Sequence, residues 1–120
     1  MPHCYDLVNT LAEVSYPSET ITRILYRPRG AFVIITAQSA GTHTKLYNQV
    51  REQLPGVTRI HTVQTGTDQR EGERKAAILK RIGAHSYTDD NRNILKAIRE
   101  LLPNIDLYHI RNGNRTKYNG

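Results

Sequence analysis

AFVIIT, running from Ala31 to Thr36, is the stretch that decides the fold. Phe32, Val33, Ile34 and Ile35 follow one another without a polar interruption. A strand with no apolar–polar alternation is covered on both faces, as in a parallel sheet with helices on each side. Downstream, Leu46, Val50 and Leu54 fall at helical spacing, and Pro55-Gly56 ends that stripe, so Thr42 to Leu54 reads as a helix. Val57 to Val63 alternates and reads as a strand, and Gly66 to Gly72 as a polar loop. Glu73 to Ile82 is a short helix closed by Gly83, and Ala84 to Thr88 a short strand. Asn91 to Leu102 is the clearest helix, with Ile94, Leu95, Ile98, Leu101 and Leu102 on one face and Pro103 as its stop. Ile105 to Ile110 is a last strand. Upstream, His3 to Tyr5 is a brief strand, and Glu13 to Gly30 carries a weak helical signal in Ile21, Ile24 and Leu25. The alternation predicts an α/β domain over residues 1–110, a Rossmann-like sheet of five mainly parallel strands with helices on both faces. The basic tail 111–120, RNGNRTKYNG, is expected to be flexible.

Composition narrows the function classes. The chain has 120 residues, the usual size of one domain. No apolar run reaches the ~18 residues of a membrane helix, so no membrane role is expected. The first residues, MPHCYDLVNT, show no basic region followed by an apolar stretch, and a cytoplasmic protein is the default expectation. Cys4 is the single cysteine, which excludes an intrachain disulfide and a cysteine-based zinc site. Lys and Arg number 17 against 11 Asp and Glu, a net charge of +6. That excess fits an anionic partner such as nucleic acid or phosphate, and it also fits solubility alone.

In an open parallel sheet, ligands bind beyond the carboxyl ends of the strands. Asp6, Val8, Asn9 and Thr10 follow the first strand, Thr36 ends the second, and Asp89 and Asp90 end the fourth. Lys75 lies near the start of the helix before them. Three carboxylates gathered at one edge repel, and a hard divalent cation such as Mg²⁺ resolves that repulsion through oxygen ligands. Each residue also has an ordinary role. Asp89-Asp90-Asn91 suits a helix N-cap, Thr36 suits a strand, and Lys75 suits a solvated helix face, with Lys80 as its competitor. His3, His43, His61, His85 and His109 show no metal-ligand spacing. Arg23, Arg27 and Arg29 suit a nucleic-acid path and a solvent face equally, while Arg70 and Arg74, just before Lys75, are placed to meet a phosphate.

Taken in order, these stretches resemble the four motifs of the haloacid-dehalogenase-like superfamily. YDLVNTLAEV (residues 5–14) is similar to the first, an apolar strand ending in DxDxT. IITAQ (34–38) resembles the second, ERKAAILKRIGA (73–84) the third, and AHSYTDDN (84–91) the fourth. The resemblance implies a three-layer core with strand order 5-4-1-2-3. It implies Asp6 as a nucleophile forming an aspartyl-phosphate, and Mg²⁺ held by Asp6, the Val8 carbonyl, and Asp89 or Asp90. Thr36 would then bond a phosphoryl oxygen, Lys75 would neutralise charge, and Thr10, Arg70 and Arg74 would contact substrate. Cap domains of this family sit in two insertion points. Leu11 to Gly30 has room for a flap only, and Ser39 to Arg74 is used up by ordinary elements, so no cap is expected. The segment from Ala37 to Lys75 is similar to the phosphatase half of phage-type polynucleotide kinases. A Mg²⁺-dependent phosphatase acting on a nucleic-acid or nucleotide phosphate is the implied activity.

Two positions depart from the family pattern. Val8 stands where the phosphatases carry the acid that protonates the leaving oxygen and activates water. Loss of a general acid–base lowers rates about 10²–10⁴-fold. Val8 is compatible with a slow phosphatase, with a different leaving group, with a degenerate site kept for binding nucleic acid or a protein, and with an introduced substitution. Gln38 replaces the usual Arg after the second motif.

Overall fold

The computed structural model describes all 120 residues. Its main sheet contains β1 (His3–Tyr5), β4 (Phe32–Gln38), β5 (Val57–Gln64), β6 (Ser86–Asp89), β7 (Asp106–Arg111) and β8 (Asn114–Lys117). A separate two-stranded hairpin is made of β2 (Ala12–Ser15) and β3 (Thr20–Ile24). The helices are α1 (Thr44–Gln53), α2 (Asp68–Ile82) and α3 (Arg92–Leu101). The sheet order is β5-β4-β1-β6-β7-β8, parallel throughout except for the last pair. Numbered along the chain, its five parallel strands run 5-4-1-2-3 from one edge, the order expected, and β8 makes a sixth.

Period-two alternation builds a core on each face. Cys4, Val33, Ile35, Tyr87 and Leu107 point to one side, where Ala76 and Leu79 of α2 and Ile94, Leu95 and Ile98 of α3 cover them. Tyr5, Phe32 and Ile34 point to the other, under Leu46, Tyr47 and Val50 of α1 and Ala12 and Ile21 of the hairpin. The uninterrupted apolar run of β4 thus reflects burial on both faces. No helix is long and apolar enough to cross a membrane.

The structure departs from the sequence reading in three segments. Residues 12–24 form a hairpin rather than a helix; Ile21, Ile24 and Leu25 gave a spacing too sparse to separate the two. Gln49 of α1 docks this hairpin, accepting from the Ile21 N–H at 2.9 Å and donating to the Glu19 carbonyl at 2.7 Å. Helix α2 begins at Asp68, inside the stretch read as a loop, because Thr67 caps it by accepting from the Arg70 N–H at 3.2 Å. Gly72 suggested a loop, but it allows close helix packing: a Cβ there would sit 2.5 Å from the Ala97 Cβ of α3. Finally, the segment read as a flexible tail is strand β8. Asn112 (φ 52°) and Gly113 (φ 78°) form the turn that pairs it with β7, and Tyr118 is buried in the core.

Candidate functional site

Strand β1 lies between β4 and β6, so the residues after it emerge at the centre of the sheet's carboxyl edge. Asp6 continues the ladder by one bond, its N–H donating to the Thr88 carbonyl at 2.9 Å. The chain then turns sharply through Asn9 (φ 61°), whose N–H donates to the Ala12 carbonyl. Asp6, Asp89 and Asp90 offer carboxylate oxygens that all lie within 4.8 Å of one another. They share a pocket of about 210 Å³ with Val8, Thr36 and Lys75.

Lys75 reaches this cluster from the second turn of α2 and is 1% exposed. Its Nζ donates to Asp6 Oδ1 at 3.1 Å, to Asp89 Oδ2 at 3.1 Å and to the Tyr87 hydroxyl at 2.7 Å. All three ammonium hydrogens therefore have an acceptor. Tyr87 passes the interaction on, donating its own proton to Asp89 Oδ2 at 2.5 Å. Asp89 Oδ1 accepts from the Asn91 N–H at 3.0 Å, while the Asn91 side chain caps α3. The capping role at Asn91 and the cluster role at Asp89 thus coexist. Thr10 Oγ1 lies 3.2 Å from both Asp6 Oδ2 and Asp90 Oδ1 and has one proton to share between them. Being fully buried, Thr10 braces the carboxylates.

Electrostatics follow from burial and crowding. Burial and the neighbouring Asp89 push the Asp6 carboxyl up to about 8, against the pull of Lys75. Burial and Asp89 likewise raise Asp90. Burial alone would lower Lys75, but the Asp6 and Asp89 carboxylates outweigh it and hold the ammonium above its ordinary range. One ammonium does not balance three carboxylates, and protonation of Asp6 or Asp90, which their raised values favour, relieves the excess charge. A cation among the three would do the same. The donor set is all hard oxygen, with no imidazole or thiolate, and so fits a hard divalent ion.

Thr36 lies at the carboxyl end of β4 and lines the same pocket. Its Oγ1 accepts from Gln38 Nε2 at 3.2 Å, which leaves the hydroxyl proton free to donate. Gln38 Oε1 in turn accepts from Tyr16 at the hairpin tip, at 3.0 Å. Gln38 thus ties the flap to Thr36. Val8 is half-buried beside the cluster and carries no proton-transfer group.

The two remaining arginines fall elsewhere. Arg70 is exposed on the first turn of α2, and Arg74 donates to the Gln64 carbonyl at 2.9 Å. Neither lines the pocket, and Glu71 does instead, because α2 starts before them and turns both outward. Tyr87 and Gln38 are the partners that sequence reasoning did not place. A buried tyrosine two residues before an acid on one strand face was the available signal for Tyr87. Arg23 is paired with Glu13 and Arg27 donates to the Gln53 carbonyl at 2.8 Å, so two of the three arginines near the flap are engaged. Comparisons with protein-family models, curated proteins and solved structures find no match to this chain.

Proposed function

We propose that this chain is a Mg²⁺-dependent phosphohydrolase of the haloacid-dehalogenase-like type, acting on a nucleic-acid or nucleotide phosphate through Asp6. The observation that carries this reading is the clustering of the Asp6, Asp89 and Asp90 carboxylates, two of them (Asp6 and Asp89) paired with the one buried ammonium, Lys75, with a free hydroxyl proton at Thr36 in the same pocket. Asp6, Asp89, Asp90 and the Val8 carbonyl would hold the cation. When bound, it would keep these carboxylates ionised and neutralise phosphoryl oxygens.

A carboxylate oxygen of Asp6 attacks phosphorus, and the bond from phosphorus to the ester oxygen breaks. The departing alkoxide takes its proton from water, because Val8 has none to give. Water then attacks the aspartyl-phosphate and loses a proton to solvent, which neutralises the hydroxide left by the first step; the bond from phosphorus to Asp6 breaks, and inorganic phosphate leaves with the carboxylate regenerated. Lys75 stays charged throughout and offsets the negative charge on Asp6 and the phosphoryl group. Thr36 donates to a phosphoryl oxygen, and Thr10 fixes the carboxylate rotamers. Phosphoryl transfer relies on positioning and charge neutralisation, and these residues supply both.

The test is release of phosphate with Mg²⁺ from an aryl phosphate and from a 3′-phosphorylated oligonucleotide. The parent should turn over at least one of them, and Asp6→Asn should be inactive. No turnover by the parent, or full activity in Asp6→Asn, overturns the proposal. Val8 favours one other reading, a catalytically degenerate protein that binds nucleic acid or a protein partner on this fold. On that reading Asp6→Asn changes neither activity nor binding.

A further inference from the structure

A groove of about 900 Å³ lies directly beside the acid pocket and shares Asn9, Asp90 and Asn91 with it. The hairpin forms one wall through Glu13, Val14 and Arg23. The start of α3 and the β7–β8 turn form the other, through Arg92, Arg111 and Asn112. Only three of its 14 lining residues are hydrophobic, so the groove suits a solvated, polar ligand. Arg23 is spent on Glu13 across one wall. Arg92 and Arg111 are exposed, and neither enters an ion pair. His109 donates its Nε2 proton to the Asp90 carbonyl at 3.0 Å, which joins the floor of the groove to the acid centre. The small pocket therefore continues into a much larger polar groove, in which the exposed unpaired charges away from the acid centre, Arg92 and Arg111, are positive while Asp90 lies at the shared boundary.

Resting on the reading of Asp6 as a phosphohydrolase centre, we propose that this groove holds a single nucleic-acid strand whose terminal phosphate lies at Asp6. Arg92 and Arg111 then contact the adjoining phosphodiesters and act as positioning residues. The chemistry favours backbone recognition. Guanidinium groups match phosphate oxygens, and the asparagines offer hydrogen bonds to sugar and phosphate. No Phe, Tyr or Trp lines the groove, so contacts to the backbone outweigh base stacking there.

The experiment measures anisotropy of a short fluorescein-labelled single-stranded DNA bearing a 3′-phosphate, over a range of salt concentrations. Arg92→Gln/Arg111→Gln should bind about 10-fold or more weakly at low salt. Its dependence of log K on log salt should be shallower by about 1.4, the value for two lost phosphate contacts on a single strand. Arg29→Gln/Arg81→Gln, which removes two exposed charges outside the groove, should bind like the parent. The proposal is overturned if the groove variant keeps the parent's affinity and salt slope, if the control variant loses as much, or if the parent fails to bind at low salt. Phosphate release is assayed on the same samples. A parent that shows this binding pattern but, with Mg²⁺, releases phosphate neither from this strand nor from an aryl phosphate sinks the phosphohydrolase reading and leaves the groove standing. A parent that turns over while both charge variants bind alike sinks the groove alone.

Discussion

Replacing Lys75 by methionine removes the one ammonium among three carboxylates while keeping most of the side-chain volume. Lys75 is 1% exposed and lies 3.1 Å from both Asp6 and Asp89. Breaking a buried ion pair by deleting one partner destabilises by about 3–5 kcal/mol, because the surviving charge is left uncompensated. Total stability of such a domain is about 5–15 kcal/mol, so the loss is a large fraction of it. At roughly 4 °C per kcal/mol, the midpoint of thermal unfolding should fall by about 12–20 °C. The loss should depend on pH in a stated direction. Asp6 has a folded-state pKa of about 8, above the ordinary carboxylate value of about 3.9. A raised folded-state pKa contributes stability that is full below about pH 4 and is lost as pH rises toward 8. In the metal-free protein, Lys75→Met should therefore be milder at pH 5 than at pH 8. Adding Asp89→Asn to Lys75→Met should recover part of the loss. The chain contains no Trp, so urea unfolding followed by far-UV circular dichroism is the suitable assay. A loss below about 1 kcal/mol, or one equal at pH 5 and pH 8, would refute the electrostatic reasoning.

Gly72→Ala should destabilise the fold by about 1–3 kcal/mol despite the better helix propensity of alanine, since its Cβ would meet Ala97 at 2.5 Å; urea unfolding checks this. Val8→Asp should raise the rate of phosphate release about 10²-fold or more by supplying a general acid, and no gain would mean that the proton transfer is not what holds the rate down. In the parent protein, titrating Mg²⁺ at pH 8 should raise the unfolding midpoint and do so less in Asp6→Asn, because a cation stabilises only the state that gathers its ligands. An equal rise in both proteins would place the ion elsewhere.

The sheet was legible because Phe32 to Ile35 of β4 is an uninterrupted apolar run and Ile94, Leu95 and Ile98 of α3 form a buried stripe, although Leu101, read onto the same face, is 53% exposed. Asp6, Thr36, Asp89 and Asp90 were legible because chain order puts the ends of parallel strands on one edge; Lys75 was read near the start of its helix but lies in the second turn of α2, and the structure gathers all five in one pocket. Arg70 and Arg74 were misplaced for want of one boundary: Thr67 followed by Asp68 and Glu71 was the cap signal for an earlier start of α2. Asn112-Gly113 between two strand-like runs was likewise a hairpin signal, hidden by the polar composition of the segment. The Tyr87–Lys75 and Tyr16–Gln38 contacts join residues far apart in the chain, and no local pattern reports such pairings.

The most direct measurement of the central claim is capture of the covalent intermediate. Val8 supplies no base to activate the second water, so the aspartyl-phosphate should persist long enough to trap. The protein is mixed with Mg²⁺ and a phosphomonoester and quenched in acid. Reduction with borohydride then converts an acyl phosphate at an aspartate into homoserine, which mass spectrometry of the peptides locates. The account predicts homoserine at residue 6, dependent on both substrate and Mg²⁺ and absent from Asp6→Asn. Homoserine at another residue, or phosphate release with residue 6 unmodified at every time point, would contradict it.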